Sequence, residues 1–97
     1  MKLGIVLSTS ADLPTAAAIA HAARRARHQV VMFVMDAGVM AMSGAPEVAA
    51  GLLDDDCEVW ACSNSAVGLE LADGIVRGSQ DDHAAVLGTS DRVIALT

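Results

Sequence analysis

The stretch "VVMFVMDAG", Val30 to Gly38, decides the fold. Six apolar residues run unbroken from Val30 to Met35, and then Asp36 and Gly38 break the run. A short apolar run closed by turn residues is the pattern of a parallel strand covered on both faces. Outward from it the pattern recurs. Leu3 to Leu7 is a first such strand, ended by Ser8, Thr9 and Ser10. Cys57 to Ala61 is a third, Ile75 to Val76 a short fourth, and Arg92 to Leu96 ("RVIAL") the last.

Helical signals fill the gaps. Asp12 suits an N-cap and Pro14 a first turn, and Ala16, Ile19, Ala20, Ala23 and Ala26 recur at the spacing of one helix face. Pro46 opens a helix to Leu53, and Asp54 to Asp56 form a turn. Ser63, Asn64 and Ser65 are capping residue types, so a helix is expected from about Ser65 to Ala72. "SQDD" (Ser79 to Asp82) reads as a variant capping box whose helix ends near Gly88. Ala37 to Ala45 has no clear period and is expected as a loop, with at most one helical turn, whose segment Val39 to Ala45 either covers the site or forms a subunit interface. Alternating strands and helices predict a single domain over 1–97, a three-layer α/β/α unit with a mainly parallel sheet of five strands.

Composition narrows the function. The chain has 97 residues, 54% of them hydrophobic, with one Phe, one Trp and no Tyr. Its mean hydropathy is +0.47. So apolar a small chain is expected to hide further surface in a homo-oligomer. A net charge of −6 argues against nucleic acid, which needs Lys and Arg gathered on one face. The basic run "ARRARH" (Ala23 to His28) lies near a helix end, where cations favour the negative pole of the dipole. No segment reaches the roughly 18 apolar residues of a membrane span. The expected setting is the cytoplasm, with reduced thiols.

In an open parallel sheet, ligands bind at the carboxyl ends of the strands. Those ends carry Ser8 to Ser10, Asp36 to Gly38, and Cys62 to Ser65. Cys62 is the sharpest element, because a thiol just before a helix start meets free amides and the positive pole of the dipole, which favour its thiolate. On local signals alone a small buried hydrophobe is the favoured reading. Cys57 lies at the other end of the same strand, about 16 Å away at 3.3 Å per residue, so the two thiols neither pair nor share a metal. A pairing of Cys62 with His83 is the remaining local option. The Cys-x5-Arg loop of phosphatases fails because Gly68 stands where the arginine belongs, and no Gly-x-Gly-x-x-Gly or Walker loop is present. "STSADLPTA" (Ser8 to Ala16) has hydroxyls but no glycine and no aromatic pair to hold a flavin. No metal site is expected, since His21, His28 and "DDH" (Asp81 to His83) are scattered.

With these segments in order, the chain resembles the DsrE/DsrF/DsrH-like family, which includes the TusB, TusC and TusD type sulfur-relay proteins. "KLGIVLSTS" (Lys2 to Ser10) is similar to its opening strand and loop, and "VVMFVMDAGV" (Val30 to Val39) to its second strand and acidic-glycine turn. "CEVWACSNSAVGLEL" (Cys57 to Leu71) resembles the third strand with its terminal cysteine, and "GTSDRVIAL" (Gly88 to Leu96) the closing strand. The resemblance implies a DsrE-like fold that assembles into dimers, trimers or hexamers. It also implies that Cys62 accepts sulfane sulfur as a persulfide and passes it to a partner thiol, with no cofactor. Ser63, Asn64 and Ser65 would then stabilise the thiolate, and Ser8, Ser10 and Asp36 would line the pocket. The partners would be sulfur donor and acceptor proteins. Two other classes stay open: a non-catalytic oligomeric subunit with an inert Cys62, and a domain binding a small ligand or nucleotide at the strand ends.

Overall fold

The computed structural model describes residues 1–97. Its strands are β1 (Lys2–Leu7), β2 (Gln29–Val34), β3 (Glu58–Cys62), β4 (Val76–Gly78) and β5 (Arg92–Leu96). Its helices are α1 (Leu13–Arg25), α2 (Ala37–Ser43), α3 (Pro46–Asp54) and α4 (Gln80–Thr89). All strand pairs are parallel, in the order β4-β3-β2-β1-β5. β2 lies in the middle, and its residues Val30 to Val34 are at most 3% exposed. That is why its apolar run has no polar alternation.

Right-handed crossovers decide which connection covers which face. The chain steps from β1 to β2 to β3 to β4 in one direction, then returns across the sheet to β5. The outward steps place α1, α2 and α3 on one face, over a 17-residue cluster that includes Ile5, Met32, Val34, Val59 and Leu52. The return step places α4 alone on the other face. There the fully covered residues are few: Val31, Phe33, Cys62 and Val86.

The "SQDD" capping box forms, with the Ser79 N–H donating to Asp82 Oδ2 at 2.7 Å. Asp12 takes the N-cap position of α1 but makes no capping bond; its carboxylate instead accepts the Thr9 hydroxyl. The basic run also gains partners. Arg24 Nε donates to the Asp55 carbonyl at 2.7 Å and Arg24 Nη1 to the His28 carbonyl at 2.9 Å, while His21 Nδ1 lies 2.8 Å from Asp55 Oδ2. These contacts tie the end of α1 to the turn that follows α3.

Two expectations need correction. "AGVMAMS" is a helix, α2, where a loop was expected. Val39 and Met42, three residues apart, are both buried, while Met40 is 66% exposed. Small apolar residues on every side hid that one-sided pattern. The helix starts from a strained corner: Asp36 has φ 51° and ψ −132°. Gly38 then passes so close to β1 that a methyl there would stand 2.6 Å from the Leu7 carbonyl oxygen.

The second correction concerns Ser65 to Ala72, which is not a helix. Residues 63–68 form consecutive turns and 69–72 are irregular. Gly68 has φ 75° and Gly74 φ 102°, both outside the helical region. Ser63, Asn64 and Ser65 also offer the backbone local alternatives to helical bonds. Leu69, Leu71, Ala72 and Ile75 still pack on the three-helix face. The β3-to-β4 connection thus covers the sheet where its crossover belongs, as an irregular strap.

Gly38→Ala is expected to lose about 2 kcal/mol or more, because backbone cannot move aside as a side chain would. Gly88→Ala, with nothing within 4 Å of the added methyl, should gain a few tenths to about 1 kcal/mol. Urea unfolding midpoints of the two variants check both signs.

Candidate functional site

Cys62 is the last residue of β3 and pairs with Gly78 of β4. It is 5% exposed and belongs to the Phe33 cluster on the α4 face. It is therefore closed from bulk solvent while lying at the carboxyl rim of the sheet. The strap turns back directly over this rim. The Ala66 N–H donates to the Cys62 carbonyl at 2.9 Å, and the Ser63 N–H to the Gly78 carbonyl at 2.8 Å.

That turn does what a following helix was expected to do. The Ser65 N–H is the largest influence on the Cys62 thiol, lowering its pKa below the ordinary 9.0. Burial opposes this, and the Ser65 hydroxyl and the Asn64 N–H add to the lowering. The Asp36 carboxylate, at the end of the adjacent strand, pushes the other way. Donors near a sulfur stabilise its anion.

Asp36 is also held by the strap. Its N–H donates to Ser65 Oγ at 3.0 Å. This bond joins the strained corner after β2 to the turn over Cys62. Strain of this type costs of order 1–3 kcal/mol and persists only where neighbours enforce it. Here Gly38 against β1 and Ser65 against the Asp36 amide supply that enforcement.

The other expected site residues divide. Ser65 and Asn64 reach the thiol. The Ser63 N–H does not serve it, being committed to Gly78. Ser8 and Ser10 follow β1, two strands from β3, or about 10 Å at the usual strand spacing. Ser8 donates its N–H to the Leu96 carbonyl and Ser10 accepts from Leu13, so they share the rim without joining the thiol's surroundings. His83 stacks on Phe33, with ring centroids 4.9 Å apart, and its Nδ1 lies 3.3 Å from Gln80 Oε1. It makes no hydrogen bond to Cys62.

Two residues that shape the site escaped the sequence reading. Arg77 donates from Nη1 to the Ala66 carbonyl at 3.0 Å and from Nη2 to the Leu69 carbonyl at 2.8 Å. Gly78 lets Trp60 and Asp82 close in, since a methyl there would stand 2.8 Å from the Trp60 ring and 2.9 Å from Asp82 Oδ2. A lone arginine inside the strand "VRG" was the available signal for the first.

Cys57 lies at the opposite rim, 4% exposed. Burial, then the charge of Asp55, raise its pKa to about 11; Arg24 opposes and Asp56 adds to the rise. It is a protonated packing residue. The structure's one cavity, about 460 Å³, is also at that rim, lined by Lys2, Arg24, Gln29, Asp56 and Glu58 with Val30 and Val31. It does not reach Cys62.

The chain matches no protein-family model, and no curated protein matches it.

Two variants should move the Cys62 thiol in opposite directions. Asp36→Asn removes the opposing charge, so alkylation at neutral pH should speed up about two- to threefold. Ser65→Ala removes a donor and should slow it by a similar factor. Alkylation rates by peptide mass spectrometry check both.

Cys57 gives a stability prediction. The unfolded thiol loses its proton near 9.0 and the folded one near 11, so the unfolded state gains as pH rises between them. Unfolding free energy should fall through that window by on the order of 2–3 kcal/mol. Cys57→Ala should lack this component. The comparison is clean because the chain has no tyrosine and one lysine. Urea titrations at the two ends of the window measure it.

Proposed function

We propose that this protein is a small sulfur carrier of the DsrE-like kind, in which Cys62 takes up sulfane sulfur as a persulfide and hands it to a partner thiol. One observation carries the reading. Cys62 ends a strand at the carboxyl rim of the sheet, and the turn that follows it carries the Ser65 and Asn64 amides that favour its thiolate. The resemblance of the four quoted segments to that family supports the same residue.

The exchange balances without a further reactant. The Cys62 thiolate attacks the outer sulfur of a donor persulfide, R–S–SH. A new S–S bond forms to Cys62, the donor S–S bond breaks, and its electron pair leaves on R–S⁻. The proton stays on the transferred sulfur. Transfer onward repeats the step: an acceptor thiolate attacks the outer sulfur of Cys62–S–SH and releases the Cys62 thiolate. Sulfur moves between thiols with no net oxidation, and the amides that favour the thiolate also stabilise Cys62 as leaving group. This reading places the protein in the cytoplasm, as a homo-oligomer meeting donor and acceptor proteins.

The closed state of Cys62, at 5% exposure, favours a second reading, a non-catalytic DsrE-fold subunit whose thiol is inert. The two separate in one experiment. Wild type incubated with a sulfane-sulfur donor is expected to gain the mass of one sulfur atom on the peptide containing Cys62, and Cys62→Ser to gain none. No gain in wild type, or equal gain in the variant, sinks the carrier and leaves the inert subunit.

A further inference from the structure

The β3-to-β4 strap has no helical hydrogen bonds of its own over 69–75. Its upper part, residues 63–68, carries exposed Ser63, Asn64, Val67 and Gly68. Val67 is 78% exposed, and Gly68 has nothing within 4 Å of an added methyl. Ala66 is the one residue of this turn that is fully buried, and it sits in the main core. In the lower part Leu69, Leu71 and Ile75 also rest on that core.

Arg77 bridges the two parts. One guanidinium donates to the Ala66 carbonyl at 3.0 Å and to the Leu69 carbonyl at 2.8 Å, on either side of Gly68 and its positive φ. The Ala66 carbonyl also accepts the Leu69 N–H at 3.0 Å, so one backbone bond spans Gly68 beside the guanidinium. The planar fork matches two acceptors at once, which an ammonium does not. The remaining fastenings of the upper part are the Ala66 N–H to the Cys62 carbonyl, Ser63 to Gly78 and Ser65 to the Asp36 amide. Among side chains, Arg77 alone bonds on both sides of Gly68.

We propose that Arg77 is the positioning residue of the Cys62 site, clasping the strap across Gly68 so that the turn at 63–66 stays seated on the carboxyl end of β3, beside the thiol. This rests on Cys62 being the working thiol. Arg77 acts through the turn and not by its own charge: the influences on the Cys62 thiol are Ser65, Asn64, burial and Asp36, and Arg77 is absent from them. The register agrees. Arg77 pairs with Ala61, whose side chain faces the three-helix cluster, whereas Cys62 faces α4. The clasp thus works from the face opposite the thiol.

The clasp makes cover and thiolate stabilisation change together. With it closed, the thiolate is favoured but hidden. With it open, the thiol is reachable but loses its donors. Docking of a thiol partner that competes for the Ala66 and Leu69 carbonyls, or displaces the turn, is then the event that exposes the sulfur.

The test is the pH profile of alkylation at both cysteines by a neutral reagent, in the full chain. Arg77→Ala is expected to raise the limiting Cys62 rate at high pH about tenfold and to move the midpoint of its profile up toward 9.0. Arg77→Lys, able to satisfy one carbonyl at a time, should fall between. Cys57, buried at the far rim, is the internal control, and its rate below pH 9 should stay that of wild type. The titratable groups on the neighbouring elements, Asp36 after β2 and Asp82 and His83 on α4, are unchanged in these variants. An unchanged Cys62 profile in Arg77→Ala overturns the proposal. So does a parallel rise at Cys57 and Cys62, which would mark Arg77 as a general stabiliser. Should wild type take up no sulfur, the carrier reading fails, while the alkylation profile still reports on the clasp.

Discussion

A parallel sheet has to be covered on both faces, and right-handed crossovers leave the chain little choice about how. Here three outward steps supply α1, α2, α3 and the strap to one face, and one return step supplies α4 to the other. The crowded face buries the larger cluster and carries most of the stability. The thin face holds Phe33, Val31 and Val86, and Cys62 with them. Strand alternation settles that the thiol points there, since Ala61 is committed to the other side.

The same constraint explains the irregular strap. The β3-to-β4 connection must still lie on the crowded face, and its leucines do so without helical periodicity. What a helix would have supplied is divided between two devices. Backbone donors near the sulfur come from the turn at Ser65 and Asn64. Side-chain donors to the Ala66 and Leu69 carbonyls come from Arg77 on the next strand. A thiolate site built this way is sharper in geometry than a helix dipole and easier to open. The two cysteines illustrate the contrast. Burial next to Asp55 drives Cys57 up to about 11, whereas the amides of the turn bring Cys62 down.

Much of the architecture was legible in the sequence, because buried parallel strands announce themselves as unbroken apolar runs. β1, β2, β3 and β5 lie within a residue or two of the expected places, and β4 begins one residue later than expected. The Ser79 capping box was legible because both partners are local. α2 was hidden by apolar residues on all its sides. The helix expected after Ser65 failed for a reason visible only in hindsight: Gly68 interrupts it with a positive φ, and capping residue types also serve turns. For the site, Cys62, Ser65, Asn64 and Asp36 were legible from their places at strand ends. Ser8 and Ser10 were grouped with them by rim alone, and strand order separates them by two strands. Arg77 was out of reach, since its partners lie 11 and 8 residues back and no local pattern links them.

The central claim is that amides of a turn, with no helix behind them, favour the thiolate of one covered cysteine. Ultraviolet thiolate absorbance of the Cys57→Ala protein, followed against pH, tests it with a single titrating cysteine. The account predicts a midpoint below the ordinary 9.0 in the folded protein that returns to the ordinary value in denaturant. A folded-state midpoint at or above 9.0 would contradict it.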